Sequence, residues 1–423
     1  MVARGSTDGV SDTNARESRA PLSDTRVIDV SRFVAGPLCS FFLASMGAEV
    51  ISIEPPALSA SRRMPPLADP DGGARTDYVD GALSMPFLKR ARGKRSVALD
   101  VTKPEGQELV RRLVGHSDVF VENSRPGTMA GFGLGHDALR AAWPRLVTCA
   151  ISGYGQADEE RPAMDVIVQA ASGAMAKTGF PDGPPLRSGI TIADHTTATF
   201  AALGIVAAIR QRDLTGVGQL VDVAMLDVLT ALVFDEPVDH YAATGIPVRT
   251  GNADARGAPI NAYRCADGWV AVTCTSEGQF ERLCTLMEQP ELRTRFPDVR
   301  ARAAGARELD AAIEAWTVTR PAREVEAAFV GIGFPAGRVR DPVEAAADPA
   351  VRSRALLEEL RHPDAPADRP SGFLGARLPI VFDGRVELPA AERFGASTDA
   401  VLRELGDCDD TELAQLRRAG VIA

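Results

Sequence analysis

A strand–helix–strand pattern near the start of the chain constrains its fold more than any other feature. An apolar run at residues 27–30 is followed by the apolar segment 38–46, which has the length and composition of a buried helix. Gly47 ends that segment, and residues 49–54 form a second run that is typical of a strand. Two strands joined by a helix make a βαβ unit, and such units build parallel sheets with helices on both faces.

The same pattern continues along the first half of the chain and then changes. Further strands are predicted at residues 96–101, 118–122, 146–151 and 220–224, and further helices at residues 104–114 and 190–212. After about residue 235 the sequence indicates a hairpin that turns at Asp267-Gly268, with helices predicted at 276–288, 301–317 and 322–330. The predicted fold class is therefore α/β, with a large parallel-sheet domain and a smaller α/β domain.

The balance of charges excludes some classes of partner. The 423 residues include 57 acidic and 47 basic side chains, which gives a formal net charge of −10. That charge disfavours general binding to nucleic acid or to an anionic membrane surface, so we expect neither as a partner. No apolar run approaches the roughly 20 residues that a membrane-crossing helix needs.

The cysteines and the N-terminal residues bear on the cellular compartment. The six cysteines include no C-x-x-C pair and no His/Cys cluster with metal-ligand spacing, so we expect no metal site. Such a pattern fits reduced thiols better than a disulfide framework. The first 26 residues are polar and carry both signs of charge, which fits neither a signal peptide nor a transit peptide. We therefore expect a disordered tail on a cytoplasmic protein.

A basic segment at residues 89–95 holds five cations in seven residues. In an acidic chain such a cluster favours a small polyanion, such as the phosphates of a nucleotide, although a solvated loop is equally consistent with it. Asn123 and Arg125 follow another predicted strand, at the end where a parallel sheet faces its ligand crevice. A loop cap is the alternative for these two residues.

Two carboxylates lie in apolar surroundings. Asp194 begins the predicted apolar helix at 190–212, and Asp165 precedes another apolar stretch. An aspartate in this position is usually a helix cap that contributes about 1 kcal/mol. The functional interpretation is that helix-terminal N–H groups hold the Asp194 anion in a cleft. His195 is not expected to assist, because adjacent helical residues point about 100° apart.

Eight short segments are informative through their order along the chain. They lie at residues 34–37, 47–56, 93–100, 121–127, 151–156, 183–185, 215–219 and 266–269. In that order, from Arg26 to the C-terminus, they resemble the family III CoA-transferases, or CaiB/BaiF family, whose relatives include formyl-CoA transferase and α-methylacyl-CoA racemase.

The resemblance implies a domain organisation and an assembly. A Rossmann-like large domain joins the two ends of the chain, and two subunits thread through each other as an interlocked homodimer. The expected divisions are a tail at 1–26, the first part of the large domain at 27–230, a linker and small domain at 231–345, and a return linker with the rest of the large domain at 346–423.

The resemblance also implies an activity. It is a CoA-transferase that moves CoA from an acyl-CoA donor to a carboxylic acid, with the CoA thioester as substrate and no permanently bound cofactor. Asp194 attacks the thioester to give a mixed anhydride, the acceptor acid then exchanges onto Asp194, and thiolate releases the new acyl-CoA. The residues implied to contact CoA are Lys94, Arg95, Leu99, Asn123 and Arg125. Candidates for the substrate pocket are Val34, Met164, Asp165 and Arg187.

Alternatives remain open at this stage. A racemase uses a His-Asp pair where this chain has Met164-Asp165, and a methionine cannot carry the proton that racemisation must move. A catalytically inactive CoA-binding member is the second alternative. A nicotinamide dehydrogenase is disfavoured, because residues 31–36 offer one glycine where the dinucleotide fingerprint needs three. Residues 251–258 match the family's glycine-rich loop but contain fewer glycines, and either Arg161 or Arg187 is a candidate to pair an acid's distal carboxylate.

Overall fold

The computed structural model describes residues 20–423, apart from residues 58, 159–160, 255, 367–371 and 385. The chain forms two compact units. The first contains the described residues up to Ser152 together with Ala198–Val223 and Leu356–Ala423. The second contains Gly153–Thr197 and Ala224–Ala355.

The elements of the first half of the chain follow one another as short strands and helices. In chain order they are β1 (Arg26–Asp29), α1 (Ala35–Ser45), β2 (Glu49–Glu54), α2 (Ala60–Arg63), β3 (Leu67–Ala68), β4 (Ala74–Arg75), β5 (Leu83–Ser84), α3 (Met85–Arg90), β6 (Lys94–Ala98), α4 (Pro104–Gly115), β7 (Val119–Glu122), α5 (Thr128–Gly131), α6 (His136–Ala142), β8 (Val147–Ser152), α7 (Asp165–Ala171), α8 (Ala174–Lys177) and α9 (Ile192–Thr215).

The second half begins with the last strand of the main sheet. Its elements are β9 (Leu220–Ala224), α10 (Met225–Phe234), a short 3₁₀ helix (Val238–His240), α11 (Tyr241–Thr244), β10 (Ile260–Arg264), β11 (Trp269–Thr273), α12 (Glu277–Leu286), α13 (Glu291–Arg295), α14 (Val299–Ala304), α15 (Ala306–Thr317), α16 (Ala322–Gly331), β12 (Ala336–Arg338), α17 (Pro342–Ala346), α18 (Pro349–Ser353), β13 (Leu357–Glu359), β14 (Leu374–Ala376), α19 (Thr398–Leu405) and α20 (Asp410–Arg418).

The first unit is built on a six-stranded sheet with the order β6-β2-β1-β7-β8-β9. The four pairs from β6 to β8 are parallel, and Ile28 of β1 lies between Ile51 of β2 and Phe120 of β7. The βαβ interpretation and the α/β fold class are therefore confirmed. The strand predicted at 96–101 begins earlier, at Lys94, which places that lysine within the sheet.

Helices cover both faces of this sheet because successive strand residues point to opposite sides. Ile28 packs in a core with residues of α4, α19 and α20, whereas its neighbour Val27 packs in a second core with residues of α1 and α9. The C-terminal helices α19 and α20 thus complete the same unit as the N-terminal strands. Leu22 is also buried in the second core, so ordered packing begins before residue 27, while residues 1–19 of the expected tail lie outside the described residues.

The second unit contains an antiparallel sheet, β10-β11-β12, packed on helices. The predicted hairpin is confirmed, and the N–H of Cys265 donates to the Gly268 carbonyl at 2.8 Å across its turn. The helix predicted at 301–317 is instead two helices that meet at Gly305. A Cβ atom on Gly305 would lie 2.4 Å from the Phe296 ring, so close ring packing requires glycine at this position. Residues 153–197 belong with this unit, although the sequence-based boundaries put them in the large domain.

Helix α9 corrects one expectation. Its 24 residues are long and apolar enough to cross a membrane by length and composition, whereas no such segment was expected. This is weak support for a membrane span, because the core helix of a globular unit passes the same test. Ala198, Ala201 and Ile205 of α9 are fully buried in the core of the first unit, while Phe200 and Leu203 are exposed.

Candidate active site

Asp194 lies in the first turn of α9 and is half-buried. The backbone N–H groups of Ala193 and Asp194 donate to Asp165 Oδ1 at 2.8 and 3.2 Å. The expectation that these groups hold the Asp194 carboxylate is therefore wrong, because they are occupied by a second carboxylate. Asp165 acts as the cap of α9 across 28 residues of sequence.

Asp165 is only 8% exposed and begins α7, and its expected place in the substrate pocket stays a prediction. Its Oδ2 accepts a hydrogen bond from Gln169 Nε2 at 2.6 Å, and Gln169 Oε1 accepts from the N–H of Ser188 at 2.8 Å. An apolar cluster of Val168, Ala193, Met225 and Leu229 packs around this part of the second unit.

The neighbours of the two aspartates differ in exposure. Met164 precedes α7 and is 59% exposed, so it remains available to line a surface. His195 is exposed, and its Nδ1 lies 2.8 Å from the Thr191 carbonyl oxygen. The ring therefore turns back toward the residue before the helix.

Lys94 is a buried cation with three hydrogen-bond partners in the first unit. Its side chain is 4% exposed, and Nζ donates to Asp29 Oδ2 at 3.2 Å, to the Pro37 carbonyl at 2.8 Å and to Ser40 Oγ at 2.7 Å. Burial lowers the pKa of Lys94, and the adjacent Asp29 carboxylate opposes that shift. Its donors are occupied within the first unit, and the expected contact of Lys94 with CoA stays a prediction.

Arg92 and Arg95 of the basic segment also pair with distant carboxylates. Arg92 pairs with Glu358, and Arg95 Nη1 pairs with Glu49 at 2.7 Å and Glu404 at 3.0 Å. These two glutamates are the partners of Arg95 in this structure, and its expected contact with CoA stays a prediction. The Leu99 side chain is 1% exposed in the core, and its expected contact with CoA also stays a prediction.

Asn123 connects the segments that follow two adjacent strands. Its Oδ1 accepts from the N–H of Arg32 at 2.8 Å, and its Nδ2 donates to the Arg32 carbonyl at 2.7 Å. Arg32 follows β1 and Asn123 follows β7, at the carboxyl ends of parallel strands, where such sheets bind ligands. Arg125 and Arg32 are exposed, and neither guanidinium has a hydrogen bond or ion pair with any residue that the structure describes. Sequence reasoning missed Arg32, because strand adjacency is not visible in the sequence.

A small cleft that opens to solvent lies beside this connection and is lined by Arg32, Phe33 and Arg62 among others. Phe33 adopts a left-handed backbone with φ of 66°, and the pocket candidate Val34 follows it, half-buried, at the start of α1. Glu54 forms a two-point ion pair with Arg62, each contact 2.7 Å long. Glu54 is the carboxylate that would bind the ribose of a dinucleotide, and its two oxygens are occupied by Arg62.

The second unit holds the residues considered for a distal carboxylate. Arg161 already pairs with Asp158 at 2.5 Å and stacks on Tyr154. Arg187 is exposed and has no hydrogen bond or ion pair with the described residues. In the predicted glycine-rich loop, the N–H of Gly251 donates to the Gly179 carbonyl at 2.9 Å, which ties that loop to the segment leading toward Arg187.

Metal-ligating side chains do not cluster among the residues that the structure describes. The six cysteines are free and buried. Burial raises the pKa of the Cys284 and Cys408 thiols to about 11, so both stay protonated at neutral pH.

Comparisons with known proteins agree over most of the chain. The family model CoA-transferase family III matches residues 22–385. A succinyl-CoA–D-citramalate CoA-transferase from Chloroflexus aurantiacus is 40% identical over 81% of this chain and 84% of its own length. A succinyl-CoA:mesaconate CoA-transferase from Haloarcula hispanica is 34% identical over 90% of this chain and 98% of its own length. The crystal structure of a CaiB/BaiF family protein from Brucella suis is similar with a TM-score of 0.79, at 32% identity over 91% of this chain and 99% of that chain.

Proposed function

This chain belongs to CoA-transferase family III and transfers CoA between an acyl-CoA and a carboxylate, and we propose that Asp194 is the nucleophile of that transfer. The observation that carries the proposal is a half-buried carboxylate on a helix turn whose backbone is fixed by a second, buried carboxylate. A carboxylate that is ionised at neutral pH needs no separate base to attack a thioester.

The proposed reaction balances without another cofactor. A carboxylate oxygen of Asp194 attacks the thioester carbonyl, the carbon–sulfur bond breaks, and CoA thiolate leaves behind an acyl–aspartyl anhydride. The acceptor carboxylate then attacks the aspartyl carbonyl and releases the donor acid. Thiolate attacks the acyl carbonyl of the acceptor, which forms the new acyl-CoA and restores the Asp194 carboxylate. An anhydride is hydrolysed easily, so the site must exclude water while it exists.

We propose that Arg32, Asn123 and Arg125 form the phosphate-binding part of the CoA site. Arginine binds phosphate through charge-assisted hydrogen bonds, and both guanidinium groups are exposed without an ion-pair partner in the described part of the chain. Asn123 contributes by holding the Arg32 backbone at two points. This revised set replaces Lys94, Arg95 and Leu99, whose side chains are occupied elsewhere.

The acids moved by this enzyme are proposed to be dicarboxylates, with succinyl-CoA as the donor. The two relatives above carry the names of succinyl-CoA and of citramalate or mesaconate, acids with two carboxylates each. Arg187 is proposed to receive the distal carboxylate, since Arg161 already has a carboxylate partner. Ser188, the next residue, is bound by Gln169, which in turn contacts Asp165 below Asp194.

An interlocked homodimer is the proposed assembly. Large apolar side chains are exposed on α9 at Phe200 and Leu203 and on α10 at Leu232 and Phe234. Contact with a second copy would remove such side chains from water, which is favourable at roughly 25 cal/mol per Å². A cytoplasmic location is also proposed, supported by six thiols that are free and buried.

One experiment tests the reaction and the acceptor class together. Succinyl-CoA is offered with citramalate, mesaconate and glutarate, and with monocarboxylic acids of matching length, and the new acyl-CoA is measured by chromatography. Asp194→Ala is expected to abolish every product. Arg187→Gln is expected to raise KM for the dicarboxylates by about tenfold, because a hydrogen bond to a charged group contributes about 1.5–3 kcal/mol.

Arg161→Gln is the matched control, because Arg161 is an arginine in the same unit whose partner is Asp158. It is expected to leave KM for the dicarboxylates unchanged. Full transfer by Asp194→Ala would contradict the proposed nucleophile. An equal effect of Arg187→Gln on dicarboxylates and monocarboxylates would contradict the proposed acceptor site.

A further inference from the structure

Hydrogen bonds of the Asp165 and Gln169 side chains, here called the relay, hold the backbone around Asp194. Asp165 and Gln169 are separated by one turn of α7, so their side chains lie on the same face of that helix. Asp165 reaches the first turn of α9, and Gln169 reaches Ser188 in the segment before it. The relay therefore holds both ends of the short stretch from Ser188 to Asp194.

Chemistry fixes the orientation of each group in this relay. An ionised carboxylate only accepts hydrogen bonds, so Gln169 must present Nε2 to Asp165, and the backbone N–H of Ser188 only donates, so it must meet Oε1. Asp165 and Gln169 are 8% and 1% exposed, so water does not readily replace a lost contact. A mismatch in this relay consequently leaves a buried polar group unsatisfied.

We propose that Asp165 and Gln169 are positioning residues that place Asp194 for attack, an inference that rests on the proposed role of Asp194 as nucleophile. The first N–H groups of a helix have no partner within the helix, and the first turn frays unless they are capped. Asp165 satisfies two of them, one on Asp194 itself. Gln169 fixes the direction of the Asp165 carboxylate and the approach of the chain toward α9.

The test moves the negative charge from position 165 to position 169. Each single variant breaks the hydrogen-bond pattern, and the double variant restores it. In Asp165→Asn, the introduced amide can keep its oxygen toward the N–H groups of α9, and then its NH₂ group faces the NH₂ group of Gln169. If the amide turns instead, its NH₂ group faces the N–H groups of α9 and those hydrogen bonds are lost. In Gln169→Glu, two carboxylates meet across the 2.6 Å contact. In the double variant, the introduced asparagine accepts from α9 and donates to the introduced glutamate, and that glutamate accepts from Ser188, so the complete pattern returns.

Each single variant is expected to lower kcat by about tenfold to a hundredfold, since misplacing a reacting group by about 1 Å costs on that order. KM for succinyl-CoA is expected to change less than kcat, and the burst of thiolate released in the absence of acceptor is expected to slow in parallel. The double variant is expected to recover most of the lost kcat.

The outcomes separate positioning from folding and from the proposed function. Tm and circular dichroism are measured for every variant, and kcat is expressed per folded enzyme. Unchanged kcat in the single variants, or a double variant as slow as either single variant, overturns the relay. Gln169→Leu removes the relay without adding charge, and it is expected to reproduce the loss of kcat if the charged variants fold poorly. Asp194→Ala is measured in parallel to test the nucleophile itself. Transfer activity in Asp194→Ala would refute the proposed function, whatever the variants at positions 165 and 169 show.

Discussion

At the scale of single residues, Lys94 shows that the number of cations in a segment does not tell how many are available to a ligand, because Lys94 is paired with Asp29. The basic segment concentrates five cations in an acidic chain. In the fold, Lys94 meets Asp29, Arg92 meets Glu358, and Arg95 meets two glutamates. These carboxylates come from distant parts of the sequence, so these three cations join strands and loops. Lys89 differs from them, because it is exposed and its charged neighbours are Arg90 and Arg92.

A pair of substitutions distinguishes the two kinds of cation. Lys94→Met leaves the buried Asp29 carboxylate without its partner and is expected to lower the free energy of unfolding by about 3–5 kcal/mol. Arg125→Gln is expected to leave that free energy unchanged and to raise KM for succinyl-CoA. Urea denaturation and steady-state kinetics measure the two effects.

The double substitution Asp29→Asn with Lys94→Met is the control for Lys94, because it removes the unpaired charge. It is expected to recover part of the lost stability. A folded and stable Lys94→Met enzyme with a raised KM would instead restore the original interpretation of Lys94 as a CoA contact.

At the scale of elements, α9 combines three roles along 24 residues. Its first turn presents Asp194 and is capped by Asp165, one side packs in the core of the first unit, and another side exposes Phe200 and Leu203. The apolar composition that qualifies α9 as a membrane span is thus divided between a core and an exposed face. We attribute the exposed face to contact with a second copy of the chain.

Leu203→Glu is expected to weaken self-association, because it places a charge on the proposed contact surface. Sedimentation velocity over a range of protein concentrations measures the effect as a shift from dimer toward monomer. Gln211→Glu adds the same charge at an exposed polar position of the same helix and is expected to leave the dimer intact. A monomeric parent protein, or a dimer insensitive to Leu203→Glu, would rule out this surface.

The sequence predicted elements better than it predicted contacts. The strands Glu49–Glu54 and Leu220–Ala224 have the predicted bounds, because apolar runs between turn residues are local signals. Two of the hydrogen bonds in the site join distant residues, with Asp165 and Ala193 28 positions apart and Asn123 and Arg32 91 positions apart. No local pattern records such pairs. Asp194 and Asn123 were singled out by their positions at a predicted helix start and strand end, and the resemblance implied their roles, whereas the contacts of Arg32 and Gln169 required the structure.

At the scale of the whole molecule, the chain is an acidic protein that handles acidic substrates. With a net charge of −10, general attraction does not bring CoA or an organic acid to the surface. Recognition must come from local groups, and the proposal assigns it to Arg32 and Arg125 in the first unit and to Arg187 in the second. Each of these arginines lacks an ion-pair partner among the residues that the structure describes, in contrast to the buried cations that hold the fold together.

Transfer of oxygen from the acceptor acid to Asp194 is the direct signature of the proposed anhydride. The acceptor acid is labelled with heavy oxygen in its carboxylates and turned over with succinyl-CoA, and the peptide containing Asp194 is analysed by mass spectrometry. Because the acceptor oxygen bridges the anhydride and stays behind when thiolate attacks, each turnover is expected to leave one heavy oxygen on Asp194. Product formation over many turnovers with no heavy oxygen in that peptide would contradict the Asp194 anhydride.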